Sequence, residues 1–278
     1  GGTGRGAADA VFFQSIPQFV VIHQLSGGFH GTQQGGFGIR TGRLCPFLIE
    51  HRTVRTAFSL GEGRQHAFFF VFLVFFRHVL GKDDPPARFQ NLLSGYGEML
   101  KHGLISNQAH WSELLKFDLN HIDYSQLQNL IGESVQVKED IVEKDPYEQN
   151  IRKALNFGHT IGHAFESFSL KTEHPVLHGY AVAWGMVCEL YLSHLRCGFP
   201  KEALRTTIQF IKENYGNLYF TCDDYDTLYD LMKHDKKNVA SGVINFTLLG
   251  GIGDIRINQT ASQEEIYELL DFYRETMG

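Results

Sequence analysis

From Leu92 onward, apolar residues recur at helical spacing. Leu93, Tyr96, Met99, Leu100 and Leu104 would share one face of a helix predicted over residues 92–105. Leu127, Leu130, Ile131, Val135, Ile141 and Val142 do the same over residues 125–143. Residues 151–170 and 180–195 are long and apolar on most faces, so both read as buried helices. Pro200 suits the first turn of a helix that runs to Tyr215 and meets Gly216 at its end. The period then changes to two. Val243, Asn245 and Thr247, the pair Gly250-Gly251, and Ile252, Asp254 and Arg256 read as a β-hairpin over residues 242–258, turning at the glycines. An acidic amphipathic helix over residues 263–277 closes the chain, and no internal repeat is present.

The first 91 residues lack this order. Their most apolar run, residues 67–76, is too short to span a bilayer and reads as a buried strand or an aggregation-prone segment. They hold 14 of the 23 Phe and one Lys, Lys82, whereas the remainder holds 11 Lys. The first part carries a net charge of +4 and the second −10, which together make the −6 of the whole. Glycines at 27, 28, 31, 35, 36 and 38 do not sit between a strand and a helix, as a dinucleotide fingerprint requires.

The overall composition, 43% hydrophobic and 20% charged over 278 residues, is that of a globular protein. The acidic balance argues against nucleic acid as a partner, and no segment suggests a membrane. An anionic small molecule is still compatible with local positive charge in a cleft. Cys45, Cys188, Cys197 and Cys222 form no Cys-x-x-Cys pair, which argues against a zinc ribbon or disulfide framework and for a reducing, cytoplasmic setting. The chain opens at Gly1 and so reads as a fragment.

The chemistry concentrates in residues 155–166. His159 and His163 lie four apart, one turn on one helical face, with Gly158 and Gly162 beside them. Two glycines weaken a helix by roughly 1 kcal/mol each, which suggests that something must approach closely there. Two core histidines satisfied by backbone would explain the pair equally well. His178 follows just ahead of a helix expected to begin near Ala181. Two histidines and a carboxylate are a common ligand set for a catalytic zinc with one open position. Glu98, on an apolar-faced helix, is the carboxylate candidate. Arg152 and Asn156 are expected on the His159/His163 helix. Lys101, Lys138 and the cluster His234-Asp235-Lys236-Lys237 add cationic groups. Singly, each reads as a solvated surface residue. Together they suit a phosphorylated polyhydroxy substrate.

Five pieces in order resemble the 3-dehydroquinate synthase family: residues 95–105, Lys138 with Arg152, residues 155–166, residues 177–186, and residues 234–238 leading into the hairpin. The resemblance covers about two-thirds of the chain. It implies a two-domain α/β family, represented here by a mainly α-helical C-terminal domain with a small β-hairpin over residues 92–278. It further implies zinc or cobalt at Glu98, His159 and His178, with His163 beside the metal. Substrate contacts would come from Lys101, Lys138, Arg152, Asn156, Lys236 and Lys237. The implied reaction converts 3-deoxy-arabino-heptulosonate 7-phosphate, a phosphorylated sugar acid, to 3-dehydroquinate and phosphate with NAD as redox cofactor, in a homodimeric enzyme.

The family's N-terminal NAD-binding domain has glycine-rich signatures that residues 1–91 lack. This atypical segment is expected to be a wrong-frame translation joined to a genuine C-terminal half, with a divergent or truncated domain as the alternative. The competing functional readings are another sugar-phosphate cyclase (an inosose or valiolone synthase), a metal-dependent alcohol or glycerol-phosphate dehydrogenase, and an inactive metal-binding fragment.

Overall fold

Glycine contacts bring the helices of this protein together. The structure, a computed structural model, describes residues 85–172, 174–234 and 243–278. The apolar run at 67–76, the rest of residues 1–84, and Lys236 and Lys237 lie outside the described residues.

Helix α1 (Pro85–Ser106) starts seven residues before Leu92, so the break in composition at residue 91 falls inside it. Next comes α2 (Gln108–Lys116), capped by Asn107, whose side chain accepts from His110 N at 3.0 Å. Helix α3 (Tyr124–Lys144) is capped by Asp123, which accepts from Ser125 N and Gln126 N.

The expected single helix over residues 151–170 is broken. Ile151–Asn156 form a 3-10 helix, Phe157 is extended, and Gly158 takes φ +78° before α4 (His159–Ser169) begins. That left-handed turn favours glycine and interrupts the helix even though the apolar spacing runs through it. Arg152 and Asn156 therefore sit on a different element from His159 and His163, which corrects the sequence expectation.

Helix α5 (His178–Cys197) starts at His178 itself, not after it, and ends at Gly198 in the left-handed conformation. It is buried on nearly every side, as its apolar sequence requires. Around it pack α1, α4, α6 (Lys201–Tyr215), the hairpin and α8 (Gln263–Met277). The nine-residue α7 (Tyr225–Lys233) packs on α4.

The hairpin pairs β1 (Asn245–Gly251) with β2 (Asp254–Thr260) in antiparallel register, Asn245 opposite Thr260 and Gly251 opposite Asp254. The turn lies at Ile252-Gly253, with Gly253 at φ +79°, and not at Gly250-Gly251. Residues 246–249 of β1 are buried throughout, whereas β2 alternates between exposed and half-buried. Hydrogen bonds tie the hairpin to the helices: Gly253 N to Leu104 O, Leu249 N to Ser193 Oγ, and Thr160 Oγ1 to Asn245 O. The described residues are thus mainly helical with one small antiparallel sheet, and none of their helices is long and apolar enough to cross a membrane.

Candidate metal centre

Three helices meet at two backbone contacts. Gly97 of α1 faces Gly179 of α5, and a Cβ on Gly179 would collide with Ser94 O. Gly185 of α5 faces Gly158 and Gly162 at the start of α4, where a Cβ would collide with Gly158 O. Each contact lies one residue from a candidate ligand. Gly97 precedes Glu98, Gly158 precedes His159, Gly162 precedes His163, and Gly179 follows His178. The close approach suggested by the glycines is therefore that of helix α5, and it converges the polar side chains on one point.

At that point Glu98 Oε1 lies 3.3 Å from His159 Nε2 and 3.4 Å from His178 Nε2. Ring nitrogens of His159, His163 and His178 all lie within 4.8 Å of one another. Bonds of roughly 2.0–2.1 Å to a tetrahedral zinc put neighbouring ligand atoms about 3.3 Å apart. The Glu98 spacings match that edge length.

The imidazoles are oriented for the purpose. His159 Nδ1 lies 3.0 Å from the carbonyl of Phe157, and His178 Nδ1 lies 2.9 Å from Glu166 Oε2. Both partners are acceptors, so a neutral ring carries its proton on Nδ1 and turns the Nε2 lone pair toward Glu98. Glu98 Oε2 accepts from Lys101 Nζ at 2.6 Å, while the buried Oε1 has no hydrogen-bond partner. A buried carboxylate oxygen facing two imine nitrogens fits a divalent cation, so the residues present suit the group.

The local field agrees. Burial works against charge on Glu98, but Lys101 and His159 outweigh it and hold the carboxyl well below its ordinary range. Burial pulls the His178 ring down, yet the nearby Glu166 and Glu98 carboxylates push it up to about 9. The carboxylates that favour a proton on this ring would also favour a metal cation in its place. Lys138 on α3 is lowered by burial first and then by Lys101, with Glu98 pulling the other way and Arg152 adding to the fall. Lys138 thus feels Lys101, Glu98 and Arg152 together.

Of the other predicted site residues, Arg152 donates from Nη1 to Pro146 O at 2.7 Å. Asn156 donates to Glu148 Oε1 at 2.8 Å, and Glu148 sits at φ +57°. Asp145 shapes this loop by accepting from the backbone N–H groups of Gln149, Asn150 and Arg152. Lys236 and Lys237 lie outside the described residues.

The sequence reading assigned no role to Glu166 or Glu189. Glu166 sits 12 residues before its partner His178, and on a helix it looks like any solvated carboxylate. Glu189 had a visible signal: the one charge inside the apolar run 181–192 of α5.

A family model, 3-dehydroquinate synthase C-terminal, matches residues 95–238. The chain belongs to the 3-dehydroquinate synthase family through this C-terminal domain. A curated 3-dehydroquinate synthase from Parabacteroides distasonis is 61% identical over 188 residues, covering 68% of this chain and 53% of the relative. Another, from Oceanobacillus iheyensis, is 40% identical over 162 residues, covering 58% and 44%. The chain therefore spans about half the length of the curated relatives it matches.

Solved structures share the fold. A 2-deoxy-scyllo-inosose synthase complexed with carbaglucose-6-phosphate, NAD+ and Co2+ superposes with a TM-score of 0.54 at 23% identity, covering 67% of this chain and 51% of that one. A 2-epi-5-epi-valiolone synthase from Streptomyces hygroscopicus subsp. jinggangensis, with NAD+ and Zn2+ bound, gives 0.53 at 20% identity, covering 68% and 54%.

Proposed function

We propose that residues 92–278 form the metal- and substrate-binding domain of a 3-dehydroquinate synthase, a metal- and NAD-dependent lyase that turns 3-deoxy-arabino-heptulosonate 7-phosphate into 3-dehydroquinate and phosphate. The observation that carries this reading is the meeting of Glu98 Oε1 with two imidazole Nε2 atoms at tetrahedral edge lengths, on three separate helices. Relatives named 3-dehydroquinate synthase at up to 61% identity support the choice of reaction within the superfamily.

Glu98, His159 and His178 would hold the metal, and His163 would face its open position. When bound, the ion would polarise a substrate hydroxyl and lower the cost of its alkoxide. Lys101, Lys138 and Arg152 present positive charge to the phosphate and carboxylate, and the undescribed Lys236 and Lys237 would extend it. Asn156 offers an amide for orienting hydroxyls once Glu148 releases it. Much of the catalytic work assigned to these side chains is positioning and electrostatic stabilisation of the leaving phosphate. The described residues contain no strand that runs through a glycine-rich turn into a helix, so they do not fit a dinucleotide.

Titration with Co2+, read by visible absorption, tests the metal reading. The chain should bind one ion. Glu98→Gln and His178→Ala should lose it, and His163→Ala should keep it. Undiminished binding by Glu98→Gln sinks the ligand assignment. For the reaction, residues 92–278 would be joined to the complementary N-terminal half of the Parabacteroides distasonis relative. That chimera should release phosphate from the heptulosonate and not from glucose 6-phosphate or sedoheptulose 7-phosphate.

A further inference from the structure

Helix α4 has no capping side chain of its own, because its N-cap is Gly158. The opening turn of a helix leaves N–H groups without helical partners. Glu189, about three turns into α5, supplies the missing acceptor. Its Oε2 accepts from Gly158 N at 2.7 Å, and its Oε1 accepts from Thr160 N at 3.0 Å and Ile161 N at 3.2 Å. The side chain is 0% exposed. A carboxylate removed so fully from water is tolerated only where donors replace its hydration.

These three amides bracket His159, the first residue of α4. The His159 ring is anchored through Nδ1 to Phe157 O in the same turn, so the path of this backbone sets where Nε2 points. The start of α4 is also the positive end of the helix dipole, next to a site that would receive a dication. Glu189 places a carboxylate against that end.

We propose that Glu189 is a positioning residue of the metal centre. It grips the amides around His159, holds that imidazole against Glu98 and His178, and offsets the positive end of α4. The inference rests on the metal reading above.

The test is Co2+ affinity of the full chain, titrated with the metal alone, beside thermal unfolding. Glu189→Leu should weaken Co2+ binding by about tenfold or more, the scale seen when groups that orient metal ligands are removed. Glu189→Gln, which keeps an acceptor but not the charge, should fall between it and wild type. Leu204→Ala, a core change in α6, serves as the control for stability. It should lower the unfolding temperature yet leave affinity within about twofold. The proposal is overturned if Glu189→Leu binds Co2+ as wild type does, or if Leu204→Ala loses affinity in equal proportion to its stability. Should Glu189→Leu not fold, Glu189→Gln decides alone, and unchanged affinity there overturns the proposal. A wild-type chain that takes up no Co2+ overturns the metal reading and this inference with it. Wild-type binding that survives in the Glu189 variants overturns the inference alone.

Discussion

Glu166 decides which nitrogen His178 presents. Its Oε2 lies 2.9 Å from Nδ1, on the side of the ring away from Glu98. Removing it frees the ring to rotate and lowers its basicity. Glu166→Ala should weaken Zn2+ binding by about 10–100-fold, measured by competition with a chromogenic chelator. Unchanged affinity would mean that packing alone orients the ring. At this scale the candidate ligands stood out in the sequence, because histidines flanked by glycines and a lone Glu on an apolar face are each costly without a partner. The partners of Glu166 and Glu189 did not, because they lie 12 and 28 to 31 residues away, although Glu189 itself stood out as a charge in an apolar run.

Helix spacing was easier to read than helix ends. The long amphipathic helices and the final helix over residues 263–277 follow their apolar period closely. The nine-residue α2 and α7 complete fewer than three turns and show too little period to be recognised. The break at Phe157-Gly158 was hidden because apolar residues continue across it, and only a backbone angle marks it. Between elements, the α1–α5 contact leaves no room for a methyl group. Gly179→Ala should cost about 1–3 kcal/mol in urea unfolding, and it should weaken metal binding although it changes no ligand. Wild-type stability in that variant would remove the contact from the account.

Helices α1 and α3 also enclose His102, which bonds Ser134 Oγ through Nδ1 at 2.6 Å and leaves Nε2 without a partner. Burial, reinforced by Lys101, holds its pKa well below the ordinary value. The unfolded chain takes up this proton near pH 6.5 and the folded chain does not. The stability that His102 contributes is therefore present above about pH 6.5 and falls as the pH drops below it. His178, raised to about 9, acts in the opposite window, and its contribution is lost only as the pH rises toward that value. With metal chelated, His102→Asn should flatten the decline in stability below about pH 6.5. A wild-type slope in that variant would assign the decline to other groups.

Over the whole molecule, the candidate ligands come from residues 98, 159 and 178, so a bound ion would join segments that a flexible chain keeps far apart. A ligand that binds only the folded state adds stability by mass action. Zn2+ at about a hundredfold over its dissociation constant should add about 2.7 kcal/mol, and EDTA should remove that increment. An increment unaffected by EDTA would show that zinc acts somewhere else. The fold class and the family were both legible over residues 92–278, since the motifs stand in order along the chain. Assembly of the site was not, because it depends on the angles at which α1, α4 and α5 cross.

The glycine seam also bears on ion choice. Main-chain contact, not side-chain length, sets the spacing among the three helices, so no change of rotamer in the seam can draw them closer or move them apart. Cations that accept nitrogen at short range, such as Zn2+ and Co2+, suit that spacing. Ca2+, which prefers six to eight oxygens at roughly 2.3–2.6 Å, would have to prise the helices apart to enter.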